Sequence, residues 1–177
     1  MSRCAAQVTD TLHRLLLENH TKLDTRYEQY YTNHIVYDLY ALAALGASPS
    51  RLVDCYEYKR RRLAPLRPRM MALSTARHYE PTGKPEYYSS FLDYYDRRVR
   101  ALGFDATLEQ HLPTVFGGLL GAVGHTAIHL GYAVRYRHDA VLAEALAFAS
   151  CGEQSLVPRA DALYEDDDAS AAAAIEP

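Results

Sequence analysis

The stretch "TRYEQYYTNHIVYDLYALAALGASPSRL", residues 25–52, decides how the rest of the chain is read. Tyr27, Tyr30, Tyr31, His34, Ile35, Leu39, Leu42 and Leu45 recur at intervals of three and four, the spacing that lines one face of an α-helix. Gly46 stands where a helix C-terminus needs a residue tolerant of positive φ, and Ser48 followed by Pro49 reads as an N-cap with proline in the first turn. The stretch predicts two helices joined by a short turn, the second over residues 49–63 with Leu52, Val53 and Tyr56 on one side.

The same period extends in both directions. Val8, Leu12, Leu15 and Leu16 predict a helix over residues 8–18. From residue 64 to 86 the pattern dissolves into Pro65, Pro68, Pro81, Gly83 and Pro85, an irregular crossing in which "RMMALSTARHY" holds at most a short helix. Ser89 or Ser90 then caps "FLDYYDRRVRALG", where Phe91, Tyr94, Tyr95, Val99 and Leu102 form a stripe closed by Gly103. Asp105 starts "ATLEQHLP", Pro113 begins a long glycine-rich helix, and Asp139 caps "AVLAEALAFA". No run alternates convincingly between apolar and polar residues. The fold class expected is all-α, a multi-helix bundle of about six to seven helices with antiparallel neighbours. It occupies residues 1–156. The acidic and alanine-rich tail, residues 157–177, ends in "YEDDDASAAAAIEP" and offers little to bury, so disorder is expected there.

A chain of 177 residues can build one domain with a sizeable core. Hydrophobic residues at 49% and charged residues at 23% indicate a soluble globular protein. The formal net charge of -3 leaves no basic surplus to neutralise a phosphate backbone, so nucleic acid is not an expected partner. The cluster "KRRR" at residues 59–62 reads as a solvated helix end, where cations oppose the macrodipole. Cys4, Cys55 and Cys151 are odd in number and form no CxxC pair, which points to a reducing, cytoplasmic location. The N-terminal "MSRCAAQVTDTLHRLLLENH" lacks the apolar core of a signal peptide. Residues 112–134 carry no Asp, Glu, Lys or Arg and are long enough to span a bilayer, but five glycines, Pro113, His125 and His129 favour burial in protein over lipid.

Within that uncharged run, "GHTAIHLGY" at residues 124–132 places two histidines four apart. In one continuous helix Gly117, Gly121, His125 and His129 make a single stripe, bare at one end and imidazole-lined at the other. Glycines inside a helix are costly, and several together suggest that another helix or a flat ligand approaches the backbone. An i, i+4 histidine pair can direct two ring nitrogens to one metal ion. Thr126 excludes the HExxH signature, and with it that motif's general base. A metal needs a third ligand, and His34, Asp38, His111, Asp93 and Asp96 are all candidates that spacing does not separate. Equally, the pair can be two core histidines hydrogen-bonded to carbonyls or carboxylates. The fifteen tyrosines read as core residues with polar handles. Gly118, Gly121 and Gly124 lack the GxGxxG spacing and a preceding strand, so no Rossmann motif is present.

"TNHIVYDLYALAALGASPSRL" and "FGGLLGAVGHTAIHLGYAV", in this order and about ninety residues apart by direct count, resemble the questin oxidase-like family. The resemblance covers residues 8–156. It implies a helical oxidoreductase that uses dioxygen to oxidise or open, in Baeyer-Villiger fashion, a polycyclic aromatic or anthraquinone-like small molecule. It further implies a histidine-bound non-haem Fe(II), with His34, His125 and His129 as ligands, and NADPH as an external reductant. Asp38, one turn after His34, would orient that imidazole, while Gly117, Gly121 and Tyr132 would line the substrate pocket. Family members run to about twice this length, so the resemblance corresponds to their N-terminal half. The rival expectation is a non-catalytic α-helical packing or dimerisation domain, in which core histidines are satisfied by hydrogen bonds.

Overall fold

A computed structural model describes residues 3–28, 31–76 and 81–152. It contains, among the described residues, seven α-helices: α1 (Arg3–Lys22), α2 (Ile35–Ala44), α3 (Pro49–Arg60), α4 (Tyr88–Leu102), α5 (Phe104–Val115), α6 (His125–Tyr136) and α7 (Asp139–Cys151). The all-α expectation therefore holds. One small antiparallel ribbon interrupts it, β1 (Arg26–Tyr27) paired with β2 (Tyr31–Thr32). The tail expected to be disordered lies outside the described residues.

Helix α7 is the axis of the bundle. Every residue from Ala140 to Cys151 is buried. A helix that is apolar all round belongs in an interior, and Ala140, Ala143, Ala145, Ala147 and Ala149 let neighbouring helices come close. Helices α4 and α6 pack most extensively against it, with α1 and α5 also in contact. Leu142, Leu146 and Phe148 join Phe91, Tyr94 and Tyr95 of α4 and Leu15 and Leu16 of α1 in one core. Helices α2 and α3 close the bundle over α1, and α2 also touches α6.

The capping signals act where the sequence places them in three cases, the first being Gly46, which takes φ 79° just after α2. Ser48 Oγ accepts from Arg51 N–H at the start of α3, and Gly103 takes φ 81° where α4 ends and α5 begins. Elsewhere the periodic reading runs too far. Tyr27 and Tyr31 lie in the ribbon, so α2 starts only at Ile35. Ser89 and Ser90 lie inside α4, where Ser90 Oγ instead accepts from Met70 N–H and Met71 N–H and so ties down the preceding crossing.

The long glycine-rich helix does not form. Pro113 lies within α5, which stops at Val115. A tight turn over Phe116–Gly118 follows, and then Ala122, Val123 and Gly124 all take positive φ, at 50°, 57° and 81°. This left-handed passage redirects the chain so that α6 begins at His125. Among the described residues no helix is long and apolar enough to cross a membrane.

Candidate functional site

The seam between α2 and α6 is built almost wholly of rings. Tyr37 and Tyr40 sit three apart on α2, and His125, His129, Tyr132 and Tyr136 recur at four, three and four on α6. Both spacings put their side chains on one helix face. The Tyr37 ring stacks on Tyr132 with centroids 5.2 Å apart, and Tyr40 stacks on Tyr136 at 4.0 Å and on Tyr132 at 5.7 Å. At the other end of the seam, His34 faces His125 at 5.0 Å and Tyr37 at 5.4 Å. His34 and Tyr136 are exposed, Tyr37, His125 and Tyr132 are half-buried and Tyr40 is buried, so the row meets solvent at both ends. Burial and the neighbouring His125 hold His34 below the ordinary histidine value, against the opposing charge of Asp38.

Beneath this row lies a buried polar chain. The Tyr37 hydroxyl donates to the His125 carbonyl at 3.1 Å and also lies 3.2 Å from His129 Nδ1. His129 Nε2–H donates to Glu144 Oε2 at 2.9 Å. The second oxygen of Glu144 accepts from His20 Nδ1–H at 3.0 Å, and His20 Nε2–H donates to Asp96 Oδ2, also at 3.0 Å. Arg100 lies 3.6 Å from Asp96 at the outer end. Five helices contribute: α2, α6, α7, α1 and α4.

His129 and Glu144 are each 3% exposed and His20 is 6% exposed, so the cluster, with the charges of Glu144 and His20, is removed from water. Such burial is tolerated only with close pairing. Each ring nitrogen of His20 faces a carboxylate oxygen, and both must carry hydrogen to satisfy them, which makes the imidazole a cation. Burial alone would push His20 down, but hydrogen bonds to Asp96 and Glu144, with the charges of both, raise it to about 10. Burial likewise works against the Glu144 carboxylate, while hydrogen bonds from His129 and His20 outweigh it and hold the group down to about 2. Burial, assisted by the charge of Glu144 and by Tyr132, pushes the Tyr37 hydroxyl well above its ordinary range, so Tyr37 keeps its proton at neutral pH.

The residues singled out from sequence are only partly brought together. His34, His125 and His129 do gather around Tyr37. A three-histidine iron site, however, does not fit their hydrogen bonds: His129 has Nε2 on Glu144 and Nδ1 on Tyr37, and His125 Nδ1–H donates to the Ala122 carbonyl at 2.6 Å. Among the described residues no three His, Cys, Asp or Glu side chains are grouped so as to hold a metal ion. An iron bound by all three histidines would require His129 to release one of its partners. Asp38 pairs with Lys59, His111 packs against the edges of Tyr94 and Tyr95, and Asp93 pairs with Arg69.

Of the two close neighbours expected at the glycines, another helix or a flat ligand, Gly118 has the first. Gly117 and Gly121 precede α6 and do not continue its histidine stripe. Gly118 lies against α7 so closely that a Cβ built there would stand 1.9 Å from the Ala149 carbonyl oxygen. The close neighbour is therefore a helix. Tyr132 is in the seam with Tyr37. An open apolar groove of about 500 Å³ lies on the opposite side of α6, lined by Leu119, Ala127, Leu130, Gly131, Val134 and Arg135, away from the histidines.

His20 and Glu144 were not among the residues that sequence reading selected. The available signal was Glu144 itself, one carboxylate in the otherwise uncharged "AVLAEALAFA". Such a residue needs a buried cationic partner, although nothing in the sequence points to His20, 124 positions away.

Comparison with known proteins places the sequence in a family. The questin oxidase-like family matches residues 31–176. Among curated proteins, the chain is 30% identical over 140 residues to the Baeyer-Villiger oxidase AgnL3 of Paecilomyces divaricatus, covering 70% of this chain and 29% of that relative. It is 25% identical over 161 residues to the Baeyer-Villiger monooxygenase dmxR6 of Cryptosporiopsis sp., covering 81% and 35% respectively. It is 24% identical over 165 residues to the questin oxidase of Aspergillus terreus, covering 83% and 36%. The chain spans about a third of the length of the curated relatives it matches, less than the half expected from the resemblance. The match extends over most of the chain, and it includes α2, α6 and α7, the helices that carry the tyrosine and histidine row and Glu144: the chain belongs to the questin oxidase-like family.

Proposed function

We propose that this chain forms part of an oxygen-dependent oxidase acting on a polycyclic aromatic small molecule, with the α2–α6 seam as the surface that receives the flat ring system. The observation that carries this reading is the row His34, Tyr37, Tyr132, Tyr40, with ring centroids 5.2 to 5.7 Å apart: the three tyrosines are stacked, and His34, exposed to solvent, is tilted against Tyr37. Offset stacking on tyrosine and imidazole faces suits a planar aromatic ligand, and half-buried rings supply contact area at small entropic cost.

The reaction proposed is of the Baeyer-Villiger type. A ring ketone, one dioxygen, two electrons and two protons give the oxygen-inserted ester and one water. One oxygen atom enters the bond between the carbonyl carbon and its neighbour, and the other leaves as water. The electrons come from an external reductant of the NADPH class. Of this chain's own residues, Tyr37 stays protonated at the seam, and Glu144 with His20 fixes the orientation of the His129 ring beneath it. No step is assigned to iron, because the histidine hydrogen bonds do not fit a three-histidine set.

The test is incubation of the chain with 9,10-anthraquinone or a hydroxylated analogue, NADPH and ¹⁸O₂, with mass analysis of the product. One ¹⁸O atom per product molecule is expected. Quenching of tyrosine emission reports binding separately, and anthraquinones that neither quench nor react would overturn the reading. A second reading, a packing or dimerisation domain, draws on exposed Leu120, Val123, Ile128 and Val134. A stable dimer by sedimentation, together with no binding of aromatics, would favour it.

A further inference from the structure

The hydrogen bonds of Tyr37 limit what the seam can recognise. A phenol has one hydrogen to donate and lone pairs to accept with. Two internal groups compete for that hydrogen: the His125 carbonyl at 3.1 Å, which can only accept, and His129 Nδ1 at 3.2 Å. Glu144, an acceptor, keeps a hydrogen on His129 Nε2, and where Nδ1 carries none it presents a lone pair and also calls on the Tyr37 hydrogen. Were Nδ1 to carry hydrogen instead, Tyr37 would accept from it and donate to the His125 carbonyl. In either arrangement the Tyr37 hydrogen is used inside the protein, and what the oxygen of this half-buried residue has left for a ligand is a lone pair.

We infer that Tyr37 is a specificity-determining residue of the seam, accepting a hydrogen bond from a hydroxyl on the aromatic ligand and thereby selecting hydroxylated rings over their O-alkylated or unsubstituted counterparts. The inference rests on the seam being the aromatic-binding surface. Its neighbours support the polarity of the site: Tyr132 beside it supplies the stacking face, and His34 lies at one exposed end of the row. An O-methyl ether has no hydrogen to give, so it would set an ether oxygen against the Tyr37 lone pair, and both would lose their water partners.

The experiment compares 2-hydroxyanthraquinone with 2-methoxyanthraquinone, in which the substituent is too far from the ring carbonyl to be satisfied internally. Binding of each to the full 177-residue chain is measured by tyrosine quenching, for the wild type, Tyr37→Phe and Tyr132→Leu. The wild type is expected to prefer the hydroxy compound by about three- to tenfold, the range of one neutral hydrogen bond. Tyr37→Phe should bind both about equally, and Tyr132→Leu should weaken both while keeping the preference. Equal binding of the two compounds by the wild type, or an undiminished preference in a folded Tyr37→Phe, overturns the inference and leaves the seam as a binding surface. Binding of neither compound by the wild type removes the seam reading and the inference with it.

Discussion

Glu144 on α7 accepts from His20 on α1 at 3.0 Å through one oxygen and from His129 on α6 at 2.9 Å through the other. One buried carboxylate thus ties three helices together and, through His20, a fourth by way of Asp96. Removing it would leave the His20 cation facing an apolar cavity. Breaking a buried pair from one side costs about 3–5 kcal/mol. Glu144→Ala is expected to lose that much in urea unfolding. A loss below about 1 kcal/mol, as for a surface pair, would mean that the cluster is not buried as described.

The same pair sets a pH window. Glu144 is held down to about 2 when folded, below its ordinary value of 4.5, so its contribution is fully present above 4.5 and is lost as pH falls toward 2. His20 is raised to about 10 from 6.5, so its contribution is fully present below 6.5 and is lost as pH rises through 10. Both contributions coexist in full between pH 4.5 and 6.5. Unfolding free energy measured against pH should be greatest there and decline on the alkaline side well before any lysine titrates. In His20→Gln the alkaline decline should flatten; an unchanged alkaline limb would assign it to other groups.

Iron at His34, His125 and His129 requires His129 to give up Tyr37 or Glu144. Tagless protein loaded anaerobically with Fe(II) and desalted is therefore expected to retain much less than one iron per chain. One iron per chain that disappears in both His125→Ala and His129→Ala would show that the histidines rearrange around a metal, and it would restore the three-ligand site expected from the resemblance.

Much of the fold was legible because its signals are local. Ser48 with Pro49, Gly103 and the three-and-four spacing of the apolar residues fix α3, the end of α4 and the all-α class through interactions within a few residues. The break before α6 was not legible, since Ala122 and Val123 take positive φ, and neither residue type announces a left-handed turn as Gly or Asn would. The same holds for the site. His125 and His129 stood out by spacing, but the hydrogen bonds that decide the role of His129 come from Tyr37 and Glu144 on other helices, while the His125 ring bonds the Ala122 carbonyl three residues back. A partner supplied by tertiary packing leaves no mark in local sequence.

Two glycines on either side of that break should respond oppositely to alanine. At Gly118 the added Cβ would stand 1.9 Å from the Ala149 carbonyl oxygen and 2.8 Å from its carbon, both backbone atoms of the central helix. Relief would require α7 and the turn over Phe116–Gly118 to separate, and strain of this kind costs about 1–3 kcal/mol. Gly131 lies inside α6, exposed, with nothing within 4 Å of the added carbon. There alanine restores helix propensity and should stabilise by about 0.5–1 kcal/mol. Thermal unfolding of the two variants measures the difference directly. If Gly118→Ala proves neutral, the close approach of the turn to α7 is wrong. If Gly131→Ala destabilises, the face of α6 that carries the apolar groove is covered by something in the folded protein.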